Sequence, residues 1–201
     1  MVNRFIPFDK IETRSDEGGP TIEGYFAVFD SVYNLFDGAT ESIAKGAFTE
    51  AIRGDVRALY NHNDDVVLAR TSAGTLELAE DEHGLWGRIQ IDSSDTDAMN
   101  VYRRIARGSV TGCSFGFEIE QESRTIDDQG HVHWTIEKVS PLYEVSPCVF
   151  PAYEATSVQA RHKEFDEITE ETRKKKAEAW EERMKARLKN GTKDTNASQE
   201  D

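Results

Sequence analysis

The chain holds 201 residues, room for one catalytic domain and an appendage at roughly 100 to 200 residues per domain. Its formal net charge of −14 works against the clustered Lys and Arg that displace counterions from phosphates, so nucleic acid is not an expected partner. Two cysteines, Cys113 and Cys148, make neither a zinc set nor a disulfide framework and fit a reducing, cytosolic setting. No apolar run reaches about 18 residues and the N-terminal stretch soon turns polar, so neither a membrane span nor a signal peptide is expected.

In chain order, β-branched and aromatic runs between Gly, Asn and Asp clusters predict strands over 21–29, 56–60, 75–79, 85–91, 111–120, 131–139 and 143–149. Seven short strands imply a closed or sandwich-like β core. A short helix is expected after Gly46, in Phe48-Thr-Glu-Ala-Ile-Arg-Gly54. A longer one is expected over 95–107, where Ala98, Val101, Tyr102 and Ile105 recur at helical spacing and Ser94 or Asp95 can cap. Ile126-Asp-Asp-Gln-Gly130 reads as a hairpin turn.

Composition shifts at Arg161. Residues 1–161 carry 14 Lys+Arg against 27 Asp+Glu, while 162–201 carry 10 against 11. From His162 to Asn190 there is no Gly or Pro and charges of both signs interleave, which predicts one long exposed helix with a broken apolar stripe. The stretch after Gly191 has little to bury and is expected to be disordered. The domains expected are therefore 1–161, mainly β with flanking helices (α+β), and 162–201, a charged helical tail.

Chemistry enters at Gly112-Cys-Ser-Phe-Gly116. The spacing is that of a G-x-S-x-G elbow, but the elbow needs a strand before its serine and a helix after it, and here a strand follows. Taken alone, the pentapeptide reads sooner as an ordinary turn or bulge at Ser114, so a partner is required. A serine nucleophile needs a base of near-neutral pKa, and His62, in Tyr60-Asn-His-Asn63 at the end of a predicted strand, is the histidine best placed to supply it. The plain alternative for His62 is a loop residue bonded to Asn63 or Asp64. His83 lies in a turn, His162 opens the charged tail, and His131 with His133 gives two metal ligands on one strand face without a third. No metal and no cofactor is expected.

Several segments, in order, carry a resemblance: Gly24-Tyr-Phe-Ala-Val-Phe-Asp30, the run from Glu41 to Ile52, His62 in Ala58-Leu-Tyr-Asn-His-Asn63, the acidic-glycine turn from Glu80 to Ile89, Ser114 in Gly108 to Phe117, and the run from Leu142 to Arg161. Together they resemble the prohead protease family of tailed bacteriophages over nearly all of residues 20–161. The resemblance implies a β-barrel core like that of herpesvirus assembly proteases, with Ser114 as nucleophile and His62 as its base. It implies Glu144 as the third group, because the family pattern has an acid there. Alternatives for Glu144 are an acid satisfied by an arginine such as Arg161, or an outward strand position, and Asp64 and Asp65 are weaker candidates for the third group. Oxyanion donors stay open between backbone N–H groups of 112–114 and an arginine, Arg70 or Arg161.

The same resemblance implies cleavage of scaffold or major capsid protein extensions inside the assembling prohead, in the host cytoplasm, followed by self-digestion. The capsid protein and scaffold domain are thus the implied partners, homo-oligomerisation is left open, and neither nucleic acid nor membrane is expected. A different class of reading is a non-catalytic scaffold or tube-like structural protein that keeps the fold; the charged tail suits it, the intact serine and histidine do not.

Overall fold

The computed structural model describes residues 2–7, 11–16, 18–149 and 155–194. Among the described residues eleven strands stand where seven were expected: β1 Val2–Pro7, β2 Glu12–Asp16, β3 Gly19–Val28, β4 Tyr33–Phe36, β5 Ala39–Ile43, β6 Arg57–Tyr60, β7 Asn63–Arg70, β8 Leu76–Glu80, β9 Gly84–Gln90, β10 Gly112–Ile126 and β11 Val132–Cys148. Two α-helices complete the order, α1 Thr96–Ala106 and α2 Ala155–Asp194. The mainly β, α+β class holds. The expected closed barrel does not: among the described residues the strands form two open sheets. One runs β1-β10-β11-β5-β4, with β6 also on β11 and β7 on β6; the other runs β2-β3-β9-β8. Alternating burial along a strand encodes which face is covered but not whether the last strand returns to the first.

Residues 132–148 form one strand, β11, where two were expected over 131–139 and 143–149. Pro141 has no N–H to give a ladder, and it falls where the β10 pairing jumps from Ile119↔Val139 to Phe117↔Leu142, so no ladder bond is lost. β11 is the organising strand: antiparallel to β10, parallel to β5 through 132–136, and parallel to β6 at Glu144 and Val145. The expected helix after Gly46 is only turns and a short 3-10 segment, Ala51–Arg53, with the Phe48 N–H donated to Glu80 Oε1 instead of a helical carbonyl. α1 follows expectation. Asp95 caps it by accepting from the N–H groups of Asp97 and Ala98, and Ala98, Val101 and Ile105 are buried.

One core draws on both sheets, with Ile22, Phe26, Leu85 and Ile89 from the smaller and Phe115, Phe117, Val139 and Val145 from the larger. Phe115 and Phe117 stack at 4.9 Å between centroids, and Phe48 meets Phe115 edge-on at 5.4 Å. Each such ring removes about 1.5–3 kcal/mol worth of apolar surface from water, which holds the strand carrying Ser114 rigidly in place.

The chain divides into two units, 1–158 and 159–201. α2, Ala155–Asp194, starts before residue 159 and continues through Gly191, further at both ends than the expected 162–190; the rest of the stretch expected to be disordered lies outside the described residues. Every residue from 173 to 186 is exposed, and ion pairs Glu170–Lys174 and Glu171–Lys175, at 2.9 and 2.8 Å, run along its surface. No helix among the described residues is long and apolar enough to cross a membrane.

Candidate active site

His62 stands at the tip of the β6–β7 hairpin. Tyr60 pairs with Asn63, leaving Asn61 and His62 as a two-residue turn with φ of 54° and 59°. Two successive positive φ values are the mark of a primed hairpin turn, whose second position favours glycine. An imidazole-bearing residue there is a strained choice, and such strain persists only where neighbours over-determine it. They do so here from the end of β11. The Asn61 N–H donates to the Pro147 carbonyl at 3.1 Å, the Val149 N–H donates to Asn61 Oδ1 at 2.9 Å, and the His62 N–H donates to Ser146 Oγ at 3.3 Å. Arg104 of α1 lies over the Tyr60 ring just before the turn, 5.8 Å from its centroid.

Across the sheet, Ser114 pairs with Ser146 and Gly116 pairs with Glu144. Directly opposed residues, and residues two apart, share a face, so Ser114, Gly116, Glu144 and Ser146 point the same way while Phe115 and Val145 point into the core. Gly116 leaves the position opposite Glu144 free of a side chain. The carboxylate of Glu144 is buried and doubly satisfied: His62 Nδ1 donates to Oε1 at 2.7 Å, and the Ser146 hydroxyl donates to Oε2 at 2.5 Å. With Nδ1 carrying the proton, Nε2 is the ring's acceptor.

Two polar atoms in this cluster have no hydrogen-bond partner among the described residues, His62 Nε2 and Ser114 Oγ. A buried polar atom left unpaired costs about 1–3 kcal/mol, so two in one cluster need an explanation. Ser114 has no accessible surface, whereas the His62 side chain is 18% exposed, so the imidazole is the side from which the cluster meets solvent.

The structure thus brings His62, Ser114 and Glu144 together. Asp64 and Asp65 are exposed, and Asp65 uses its N–H on Asn63. Arg70 grips Asp55 through its Nε, at 2.8 and 3.1 Å, and is exposed, while Arg161 pairs with Glu164. The His133 ring is held by the Thr40 and Ser42 hydroxyls at 2.8 and 2.9 Å, and His131 pairs with Asp127. Among the described residues no three His, Cys, Asp or Glu gather as a metal site. The neighbouring thiols are poor nucleophiles: burial pushes the Cys113 thiol well above its ordinary value and Cys148 up to about 12, and the Glu144 charge adds to both. The residue that sequence reasoning missed is Ser146. Its position two after Glu144 on a strand was the available signal, since it places the hydroxyl on the carboxylate's face.

Comparison with known proteins gives three findings. The family model described as Caudovirus prohead serine protease matches residues 9–171, so the match passes Arg161 and enters α2. The prohead protease of Enterobacteria phage HK97 is 29% identical over 159 residues, covering 77% of this chain and 67% of that protein. The solved structure of the bacteriophage T4 capsid assembly protease aligns with a TM-score of 0.46 at 14% identity, over 74% of this chain and 99% of that one.

Proposed function

Since the chain belongs to the Caudovirus prohead serine protease family, and is thus a peptidase of capsid assembly, we propose that Ser114 is its nucleophile, His62 the general base and Glu144 the acid that orients the imidazole. The observation that carries this is the pair of unpaired buried atoms, Ser114 Oγ and His62 Nε2, in one cluster. They are the two atoms a serine–histidine mechanism uses. Ser114 Oγ attacks the scissile carbonyl carbon while its proton passes to Nε2, and the resulting imidazolium is stabilised by the Glu144 carboxylate at Nδ1. Collapse of the tetrahedral intermediate breaks the C–N bond, and Nε2 returns the proton to the departing amine. Water then attacks the acyl-enzyme with Nε2 again accepting the proton, which releases the carboxylate product and restores the serine. Because Ser114 has no accessible surface, a peptide bond reaches its Oγ through local opening of the site.

The targets that fit this reading are scaffold or major capsid protein extensions, cleaved inside the assembling prohead in the host cytoplasm, with self-digestion to follow. Residues 162–201 then serve as an appendage for assembly: the charged helix exposes Trp180 and Met184 one turn apart, which suits weak contact with scaffold or capsid subunits. The test is co-expression with the major capsid protein of the same genome, wild type against Ser114→Ala, followed by intact-mass analysis. Processing by the wild type alone is expected, since losing the nucleophile costs on the order of a millionfold in turnover in a well-studied serine protease. Processing by folded Ser114→Ala removes the assignment. Failure of a fluorophosphonate to label Ser114 in a folded wild type favours the non-catalytic assembly reading.

A further inference from the structure

The hydrogen bonds around Ser146 begin and end on the same residue. The His62 main-chain N–H donates to Ser146 Oγ, the Ser146 hydroxyl donates to Glu144 Oε2, and Glu144 Oε1 accepts from His62 Nδ1. This is a closed loop. A hydroxyl has one proton, and Ser146 commits it to Glu144, so only a lone pair remains for the His62 N–H and the direction of every bond in the loop follows. Its main-chain contact holds the left-handed backbone of His62, and its carboxylate contact fixes the group that holds the ring. Backbone and imidazole of one residue are therefore tied to a single hydroxyl, which carries no accessible surface.

Ser146 is not a second nucleophile. Its proton faces a carboxylate, and the imidazole Nδ1 is occupied by that same carboxylate. We infer that Ser146 is a positioning residue, resting on the reading of Ser114, His62 and Glu144 as a reactive unit: it holds His62 in the turn and Glu144 in the orientation that leaves Nε2 to accept the Ser114 proton. Two donors into Glu144 also keep it an acceptor on both oxygens, which sets the imidazole tautomer.

The test is saturation kinetics of a fluorophosphonate on the full chain, giving the maximal inactivation rate and the half-saturating concentration separately, with the labelled residue located by peptide mass. Wild type, Ser146→Ala, Ser146→Thr and Ser114→Ala are compared, each checked for a cooperative thermal transition. For Ser146→Ala the maximal rate is expected to fall about tenfold to a hundredfold, the worth of a charge-assisted hydrogen bond, with the half-saturating concentration held. Ser146→Thr, which restores the hydroxyl, is expected to label near the wild-type rate. A folded Ser146→Ala labelling at the wild-type rate overturns the inference, as does a folded Ser146→Thr that loses as much as Ser146→Ala; the second comparison with wild type decides alone if the alanine variant does not fold. Labelling of Ser114→Ala at the wild-type rate instead sinks the reading of Ser114, a result separable from either. In the Ser114→Ala chain, a low-field proton resonance from His62 Nδ1 is expected, and its persistence unchanged on adding Ser146→Ala also counts against the inference.

Discussion

His62 Nδ1 lies 2.7 Å from Glu144 Oε1, and 82 positions of sequence separate the two residues. The bond joins a hairpin tip to a strand in the larger sheet, and its direction leaves the opposite ring nitrogen as an acceptor. Its removal without loss of shape is the sharpest probe of the proposed mechanism. Glu144→Gln keeps the size but lets an amide N–H compete for Nδ1, which favours the wrong tautomer. Turnover is expected to drop by on the order of a thousandfold to ten-thousandfold, less than for Ser114→Ala. Single-turnover cleavage of the capsid protein measures it, and a wild-type rate makes Glu144 a structural acid.

His62 occupies left-handed backbone, so its two small replacements rank opposite to the usual order. Both His62→Ala and His62→Gly lose the base and are expected to be inactive. The glycine variant is expected to be the more stable by about 1 kcal/mol, because alanine retains the Cβ clash at positive φ. Urea unfolding of the two compares them with the same partners removed in each. Equal stabilities would mean that the turn relaxes when the imidazole is gone.

Gly84 faces β3 with no room for a side chain. A Cβ there would overlap the Ala27 carbonyl oxygen, a backbone atom that cannot swing aside, and at Gly87 it would sit 2.6 Å from a Phe26 ring carbon. Gly84→Ala is expected to cost roughly 1–3 kcal/mol through forced separation of β3 and β9. A thermal transition at the wild-type temperature would contradict this.

The buried thiols give a prediction in pH. An unfolded thiol ionises near its ordinary value of 9, whereas folded Cys148 keeps its proton up to about 12. Between those values the unfolded state holds fewer protons, so this contribution to stability is present below about 9 and is lost as pH rises toward 12. Iodoacetamide at mildly alkaline pH is accordingly expected to modify neither cysteine until the chain unfolds. Rapid modification under native conditions would show that the sheet opens at Cys113 or Cys148.

The helix capped by Asp95 and the strands over β3, β6, β8 and β9 are legible in the sequence because their patterning is local and strong. β1, β2, β4, β5 and β7 are not: β2 and β5 are short and polar, β4 has only four residues, and β7 opens on the polar run Asn63-Asp-Asp65; the expected break of β11 around Pro141 is absent because the register shift that accommodates the proline belongs to the pairing with β10. Neither does alternation in a strand say whether a sheet closes. At the site, Ser114 is legible from its Gly-flanked pentapeptide and His62 from its strand end, both together with the resemblance, and Glu144 from the resemblance. Ser146 was overlooked because a small polar residue in a strand reads as an ordinary alternation; only the register that sets it opposite Ser114 reveals what it touches.

β11 supplies Glu144 and Ser146, and the Pro147 carbonyl and Val149 N–H just beyond them clamp the His62 turn. During translation the histidine emerges first and the serine some fifty residues later, but the strand that holds both in register is nearly the last part of the first unit to leave the ribosome. A nascent chain therefore owns its nucleophile and base well before it can align them. Long-range pairing of this kind is slow to form and cannot be anticipated by local structure. Timing is thus written into the topology: chains stalled before residue 140 should leave Ser114 unlabelled by a fluorophosphonate, and chemical competence should begin only with the completed strand.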